Sequence, residues 1–452
     1  MTPPLKAQPS PHANGLQQAL QQRYASVRAQ TEQLAAPLSA EDCQAQSMPD
    51  ASPVKWHLAH VTWFFETFIL EKFEPDFAPF NAAFRVLFNS YYNSVGDKHP
   101  RAQRGLLTRP ALTAVLAWRK QVDARMELLL ATNQSSEFFA LVELGLQHEQ
   151  QHQELLLTDV KHLLSCNALL PVYQKAWPLA TVAPVAAQWL HFKGGLLQTG
   201  HEGAGFAFDN ETPRHSTYLS PYALMNRLVT HGEWLEFMQA GGYSDARWWL
   251  SAGWDWVRTQ GVSAPMYWSQ PQGIKDSIDR PHDGWHSFTL HGQVPIDPHT
   301  PITHISYFEA DAFARWKSAT DSAYQGARLP TEAEWEAAVA PQFEQHVAAG
   351  NFIESRALHP MPLAKQGLDL MQALGDVWEW TSSSYQAYPG YQAWEGVVGE
   401  YNGKFMVNQY VLRGGSCATP RAHIRASYRN FFPSDARWQF TGLRLAKSLT
   451  PC

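Results

Sequence analysis

His148-Glu149-Gln150-Gln151-His152 decides how the first third of this 452-residue chain is read. Histidines four apart lie on one face of a helix, one turn above the other. From about Ser136 to Leu164 the sequence keeps a helical period. Phe138, Leu141, Leu144 and Gly145, His148, His152, Leu155 and Leu156, and Asp159 fall on one stripe. The stripe is apolar apart from the histidines and the aspartate, so both imidazoles are expected to face the interior. Buried imidazoles need polar partners. A pair in register suits a shared metal ion; the plainer alternative is two core histidines with ordinary hydrogen bonds. The same letters spell His-Glu-x-x-His, the zinc-protease signature with the glutamate as general base. The glycine and third histidine that metzincins add at fixed offsets are missing between Gln153 and His162. Zinc hydrolysis and iron chemistry both stay open on these residues.

The length suits two domains or three, and the 45% apolar content suits real cores. A formal charge of -6 leaves no basic footprint for nucleic acid. Most of the 18 tryptophans lie after residue 230, as in a compact domain of irregular backbone pinned by large rings. Cys43, Cys166, Cys417 and Cys452 lie far apart without CxxC spacing, so a reducing compartment is expected rather than a disulfide framework. Met1 to Gly15 is polar and Pro-rich with no apolar core of a signal peptide. No apolar run reaches the roughly 18 residues of a membrane span. The expectation is a cytoplasmic protein without membrane or nucleic-acid partners.

Residues 1–14 read as disordered and Leu16 to Ala36 as a first helix. Ser52-Pro53 reads as the opening of a second, with Ser as N-cap and Pro at the first helical position. On that helix His60 aligns with Trp56, Trp63, Phe64 and Thr67 and points inward, whereas His57 aligns with Val61 and Phe64 nearer the edge. His60 is therefore the preferred third ligand. Ala82 to Arg104 is a connection carrying Phe88-Asn89-Ser90-Tyr91-Tyr92-Asn93-Ser94, Gly96, Arg101 and Arg104; its plain reading is a surface loop with solvated arginines. Thr108-Arg109-Pro110 opens a third helix, with Leu112, Val115, Leu116, Val122, Met126 and Leu129 as its apolar face. The histidine pair lies on the fourth. Four helices with two long connections make a bundle, and bundle cores are where facing side chains build metal sites.

Cys166 to Gln188 reads as a linker broken by Pro171, Pro178 and Pro184. A second domain starts near Trp189, with a strand and turn around Phe192-Lys193-Gly194-Gly195. Ser306 to Glu309 is a capping box for a helix to about Thr320, and Thr331 to Glu334 is another for a helix to Val339. Arg413-Gly414-Gly415-Ser416 and Thr441 to Ala446 read as short strands with glycine turns. Residues 240–300 read as irregular.

Four segments carry a family resemblance: Asp209-Asn210-Glu211-Thr212-Pro213, Arg328-Leu329-Pro330-Thr331-Glu332-Ala333-Glu334-Trp335, Gly375-Asp376-Val377-Trp378-Glu379-Trp380 and Arg413-Gly414-Gly415-Ser416. In this order they resemble the formylglycine-generating-enzyme (sulfatase-modifying-factor) domain, which is related to C-type lectin folds. The helical part resembles the DinB-like bundle. Joined to His148-x-x-x-His152, the whole resembles the EgtB-type hercynine sulfoxide synthases of ergothioneine biosynthesis. The resemblance implies an α+β chain, with a DinB-like four-helix bundle over residues 16–170 and a formylglycine-generating-enzyme-like domain over residues 186–450.

It further implies an Fe(2+) enzyme, a hercynylcysteine S-oxide synthase, that joins hercynine to cysteine or gamma-glutamylcysteine with O2. On that resemblance His60, His148 and His152 hold the iron. Gln151 and Asn430, with Phe431 and Phe432 beside it, hold the trimethylammonium side of hercynine. Arg101 and Arg104 grip the thiol substrate's carboxylate, and Tyr91 and Tyr92 are the catalytic tyrosines. Only Cys417 follows Arg-Gly-Gly-Ser, where formylglycine-generating enzymes carry a closely spaced cysteine pair, so thiol-based copper chemistry is not expected. The chemistry suits the residues. Three neutral imidazoles leave open positions on Fe(II), arginine forks match carboxylates, and aromatic and amide groups suit a quaternary ammonium. The alternatives are synthesis of 5-histidylcysteine sulfoxide, as in the ovothiol pathway, a selenoneine synthase, a zinc hydrolase using Glu149, and a non-catalytic lectin-like module.

Overall fold

The helical period around the histidine pair is realised as one continuous helix, Ser136–Ser165. The structure is a computed structural model and describes residues 11–175, 182, 184–270, 284–364 and 367–449. The chain divides into two compact units, Met1–Val160 and Lys161–Cys452.

In the first unit four long helices carry the core: α1 (Pro11–Ala35), α3 (Val54–Phe65), α6 (Leu112–Thr132) and α7 (Ser136–Ser165). Short helices α2 (Ala40–Gln44), α4 (Glu71–Phe73) and α5 (Phe84–Leu87) lie in the connections. Every residue of α3 is buried, so it is the central helix of the bundle. It continues as a π-helical turn, Glu66–Leu70, whose buried Glu66 accepts from Trp118 Nε1 at 3.0 Å and Phe80 N at 3.0 Å. The apolar face expected for α6 is met at Val115, Val122, Met126 and Leu129, all buried.

Four expectations change here. The first helix begins at Pro11, not Leu16; proline fits the first helical turn, where its missing N–H is not needed. Ser52 is not an N-cap. Pro53 takes that position without a side-chain cap bond, while the Ser52 N–H bonds Asp159 and its hydroxyl accepts from Arg104. Arg109 and Pro110 precede α6 rather than open it, because the carbonyls of Leu107 and Pro110 accept from the Lys55 ammonium at 2.6 and 2.9 Å. The connection from Ala82 to Arg104 is only partly the solvated loop of its plain reading: Arg101 is exposed, whereas Asn89, Tyr92 and Arg104 are buried. Asn89 Nδ2 stitches it together by donating to the carbonyls of Tyr92 and Gly96 at 3.0 and 3.1 Å.

The second unit contains helices α8 (His231–Gln239), α9 (Ser251–Gln260), α10 (Tyr307–Thr320), α11 (Glu332–Val339) and α12 (Phe343–Ala349). Both sequence-read capping boxes are present, with Ser306 and Thr331 as N-caps. One sheet runs β1-β4-β13-β8, from Trp189–Phe192, Tyr222–Met225, Ala446–Ser448 and Ala327–Arg328. Another runs β11-β10-β9-β12, from Asn430–Pro433, Gln409–Arg413, Trp378–Ser384 and Thr441–Gly442. A hairpin pairs β2 (Gly195–Thr199) with β3 (His215–Leu219), and β5 (Trp268–Ser269), β6 (His286–Thr289) and β7 (Gly292–Pro295) form a third sheet. Residues 240–300 are thus not wholly irregular; they hold α9 and this small sheet, whose strands are too short for an alternation to show.

Several carboxylates in and beside the motifs of this unit sit in buried ion pairs, whereas Asp209 and Asp376 are held by neutral hydrogen-bond donors. Glu332 binds Arg429 and Arg413, Glu336 binds Arg413 at 2.6 Å, and Glu379 binds Arg444 at 3.0 Å. Glu211 binds Arg425 at 2.7 Å. Gly375 has φ +75, and a Cβ there would lie 2.3 Å from the Asn351 carbonyl oxygen, so that turn requires glycine.

Pro178, the disorder expected before Pro11, Cys452, and residues 271–283 of the stretch read as irregular lie outside the described residues. Cys43, Cys166 and Cys417 form no disulfide among the described residues. No described helix is long and apolar enough to cross a membrane.

Candidate metal centre

His60 on α3 and His148 and His152 on α7 each offer one ring nitrogen, and the three atoms lie within 4.8 Å of one another. The two helices approach closely because Gly145 stands a turn before His148; a Cβ there would lie 2.8 Å from the Phe65 ring.

Each imidazole is held differently. His60 is stacked between Trp56 at 4.5 Å and Trp63 at 5.4 Å, and its Nδ1 donates to the Phe88 carbonyl at 2.6 Å. That leaves His60 Nε2 with its lone pair. His152 Nδ1 lies 2.9 Å from His57 Nδ1, and His57 Nε2 lies 3.1 Å from Asp159 Oδ2. His57 is therefore not at the edge of its helix as its alignment implied; it is buried, because Asp159 and His152 of α7 reach across to satisfy both ring nitrogens. His148 lies 4.9 Å from the Phe64 ring, and its Nδ1 is buried without a hydrogen-bond partner among the described residues.

Burial pushes all three triad histidines below their ordinary pKa, His148 to about 4, and the adjacent His148 adds to the effect on His60 and His152. Neutral imidazole is the form with a lone pair to give. Three such donors, one with an unpartnered buried nitrogen, fit a divalent first-row metal ion.

Glu149 is not among the grouped donors, although its charge opposes the effect of burial on His148. Its carboxylate is fully buried between Arg119 Nη2 at 2.6 Å and Arg28 Nη1 at 2.8 Å, with the Thr31 hydroxyl at 2.7 Å. Burial pulls its pKa upward, but the charges of Arg119 and Arg28 prevail and bring it down to about 2. A carboxylate so committed is a poor proton acceptor near neutrality, which removes the zinc-protease role. The sequence reading missed Arg28, Thr31 and Arg119. The available signal was charged residues on otherwise buried helix faces, among Tyr24, Val27 and Leu34 on α1 and Val115, Trp118 and Val122 on α6.

Trp56 links the triad to Arg104, whose guanidinium carbon stands 3.3 Å from the Trp56 ring centroid. Arg104 donates to the hydroxyls of Ser52 at 2.8 Å and Ser90 at 3.0 Å, and its Nε is buried without a hydrogen-bond partner among the described residues. Burial brings this guanidinium down to about 9, and no carboxylate forms a salt bridge with it among the described residues. Tyr92 packs its ring against Trp63 at 5.7 Å and Phe68 at 5.2 Å. Tyr91 is half-buried and its hydroxyl accepts from the exposed Arg101 at 2.8 Å. Gln151 is half-buried on α7 beside His152.

Asn430, Phe431 and Phe432 belong to the second unit, on β11. Asn430 stands opposite Leu412 of β10. Phe431 stacks on Tyr385 at 4.0 Å, and Phe432 lies edge-on to Trp438 at 5.7 Å. The strand is anchored by Arg429, bound to Glu332 at 2.8 Å and placed 3.9 Å over the Tyr388 ring.

Residues 23–156 match the DinB superfamily, and residues 179–449 match the sulfatase-modifying factor enzyme 1-like domain. Over 449 residues the chain is 30% identical to the hercynine oxygenase of Mycobacterium tuberculosis, a match spanning 93% of this chain and 97% of that protein. The chain belongs to the hercynine oxygenase family. Another hercynine oxygenase, from Mycolicibacterium thermoresistibile, is 30% identical over 435 residues, 90% of this chain and 89% of that protein. Beyond the hercynine oxygenases, the formylglycine-generating enzyme of Streptomyces coelicolor is 27% identical over 271 residues, 49% of this chain and 76% of that protein. The fusion of a DinB part to a sulfatase-modifying-factor part is thus the α+β arrangement that the sequence implied.

Proposed function

We propose that this chain is a hercynine oxygenase of ergothioneine biosynthesis that joins hercynine to cysteine or gamma-glutamylcysteine, using O2 and iron held by His60, His148 and His152. The observation that carries this reading is the triad of buried neutral imidazoles, in a chain whose hercynine oxygenase relatives match it over 93% and 90% of its length. The reaction balances as thiol plus hercynine plus O2 giving sulfoxide plus water. The S–H and imidazole C–H hydrogens leave, a C–S bond forms, and one oxygen ends on sulfur. Bound iron supplies the one-electron chemistry with dioxygen.

The chain's own residues bind and orient. Arg104 is preorganised by two hydroxyls and the Trp56 face and forms no salt bridge among the described residues, so a substrate carboxylate completes its fork. Arg101 is the second cation of that subsite. Gln151 in the first unit, and Asn430, Phe431 and Phe432 in the second, are each of the kind, amide oxygen or ring face, that suits a trimethylammonium group, which has no N–H to donate. Tyr92 biases the outcome toward C–S bond formation, over dioxygenation of the thiol to a sulfinate, by supplying a proton or hydrogen atom, and Tyr91, bound by Arg101, supports the thiol subsite.

The test is anaerobic iron loading, then O2 with hercynine or histidine and each thiol in turn, with mass spectrometry of the products. A hercynine–thiol sulfoxide carrying one atom of labelled oxygen is expected. Absence of any hercynine–thiol adduct from iron-loaded protein sinks the proposal, and a histidine adduct in its place selects the ovothiol-type reaction.

The two tyrosines should separate in product ratio. Tyr92 packs against Trp63, itself stacked on His60, whereas the Tyr91 hydroxyl is engaged by Arg101. Tyr92→Phe is expected to shift the sulfoxide-to-sulfinate ratio tenfold or more toward sulfinate, which needs only about 1.4 kcal/mol between two transition states. Tyr91→Phe should act mainly on the thiol KM. Wild-type ratio and rate in both single variants and in the double variant would remove the tyrosines from the chemistry.

A further inference from the structure

His152 is held by another imidazole, and that arrangement has a definite protonic consequence. One of the two facing Nδ1 atoms, 2.9 Å apart, carries the proton between them and the other is bare. The choice is made at the far end of His57. Its Nε2 faces Asp159 Oδ2 at 3.1 Å, an oxygen that also accepts the Ser52 backbone N–H at 2.8 Å. A carboxylate oxygen accepts, so the ring nitrogen that faces it, His57 Nε2, is the donor. With Nε2 as its donor to Asp159, His57 offers Nδ1 as the acceptor toward His152. His152 Nδ1 therefore carries the shared proton, and His152 Nε2 keeps the lone pair that the triad needs.

We propose that Asp159 and His57 are positioning residues that lock His152 in its metal-ligating tautomer, through the chain Ser52 N–H, Asp159, His57, His152. His57 and Asp159 are 2% and 6% exposed, so bulk water does not offer His152 an alternative acceptor. His60 has its tautomer set more simply, by the Phe88 carbonyl. Outer partners of this kind orient a metal-bound imidazole and raise its basicity. His57 differs in having either nitrogen available, so the aspartate is needed to choose for it. This inference rests on the metal reading of the triad.

The experiment measures Co(II) binding by the full chain without substrates, by competition with a chelator, together with the visible absorption of the bound ion and melting of the metal-free protein. His57→Asn sets an amide oxygen near the former Nδ1 and preserves the acceptor; His57→Phe preserves ring volume without one. Asp159→Leu leaves His57 in place and removes the group that selects its tautomer. Expected are Co(II) affinity and spectrum close to wild type for His57→Asn, and affinity about 10- to 100-fold weaker for His57→Phe and Asp159→Leu. Wild-type affinity in His57→Phe or in Asp159→Leu overturns the relay. So does His57→Asn binding as weakly as His57→Phe with unchanged melting, because ring packing then accounts for the loss. His148→Ala run in parallel separates the two readings. If it binds Co(II) as well as wild type, or if wild type binds none, the metal site itself falls, and the relay with it.

Discussion

His148→Ala is expected to abolish iron binding and turnover together while the bundle stays folded. The side chain supplies one of three ring nitrogens within 4.8 Å. Losing the ligand itself should cost more than the about 100-fold in affinity typical of losing an outer partner. Turnover should fall at least about 1000-fold, equivalent to roughly 4 kcal/mol of activation free energy. The fold should tolerate the change. His148 Nδ1 makes no hydrogen bond among the described residues, so truncation removes packing against Phe64 but also a buried polar atom with no partner. A stability loss of about 1–3 kcal/mol is the ordinary cost of such a truncation. Metal analysis after dialysis, thermal melting and product formation decide the matter. Wild-type O2-dependent product formation by this variant would exclude the triad as the iron site.

Glu149→Gln should show the opposite pattern, with stability lost and chemistry kept. The carboxylate neutralises two buried guanidiniums at once. Removing one member of a buried ionic group costs about 3–5 kcal/mol. The fall of its pKa from 4.5 to about 2 points to roughly 3 kcal/mol by linkage. Arg28 keeps Asp123 at 2.6 Å and Arg119 keeps the Arg28 carbonyl at 2.9 Å, which places the loss toward the lower end. At about 2–4 °C per kcal/mol, the melting temperature should drop by about 10 °C. Because the folded-state pKa is depressed, this contribution is complete above the ordinary carboxylate range and fades as pH falls toward 2. The gap between wild type and variant should therefore narrow below about pH 4. Turnover per bound iron should remain within a few-fold of wild type at moderate temperature. A stable, iron-replete and inactive Glu149→Gln protein would restore the general-base role.

The different fates of His148 and Glu149 mark how far the sequence could be read. Both are adjacent in one helix and both are buried. Periodicity placed His148 and His152 on one inward face of a helix, a property of spacing within one segment, but not the burial of the faces beside it, where Glu149, Gln150 and Gln153 are also buried. It was silent on Glu149, whose partners lie 121 and 30 residues away. The same limit explains His57, read as an edge residue from its neighbours on α3 and buried by Asp159, 102 residues further on. Arg104 shows it again. A basic residue in a polar connection reads as solvated, yet Trp56, Ser52 and Ser90 enclose it.

From the sequence alone came the helix with its paired histidines, the two capping boxes of the second unit, the preferred third histidine and the family order of motifs. These are features in which each residue's role follows from near neighbours, or from a pattern of letters in sequence. The tertiary structure alone decided which polar groups are partnered. It locked Glu149 between arginines, sealed His57 between Asp159 and His152, and enclosed Arg104 with hydroxyls and the Trp56 ring. Secondary structure and its buried face are set by interactions over a few residues. Hydrogen-bond partners, and the desolvation that makes them matter, exist only once distant segments have packed.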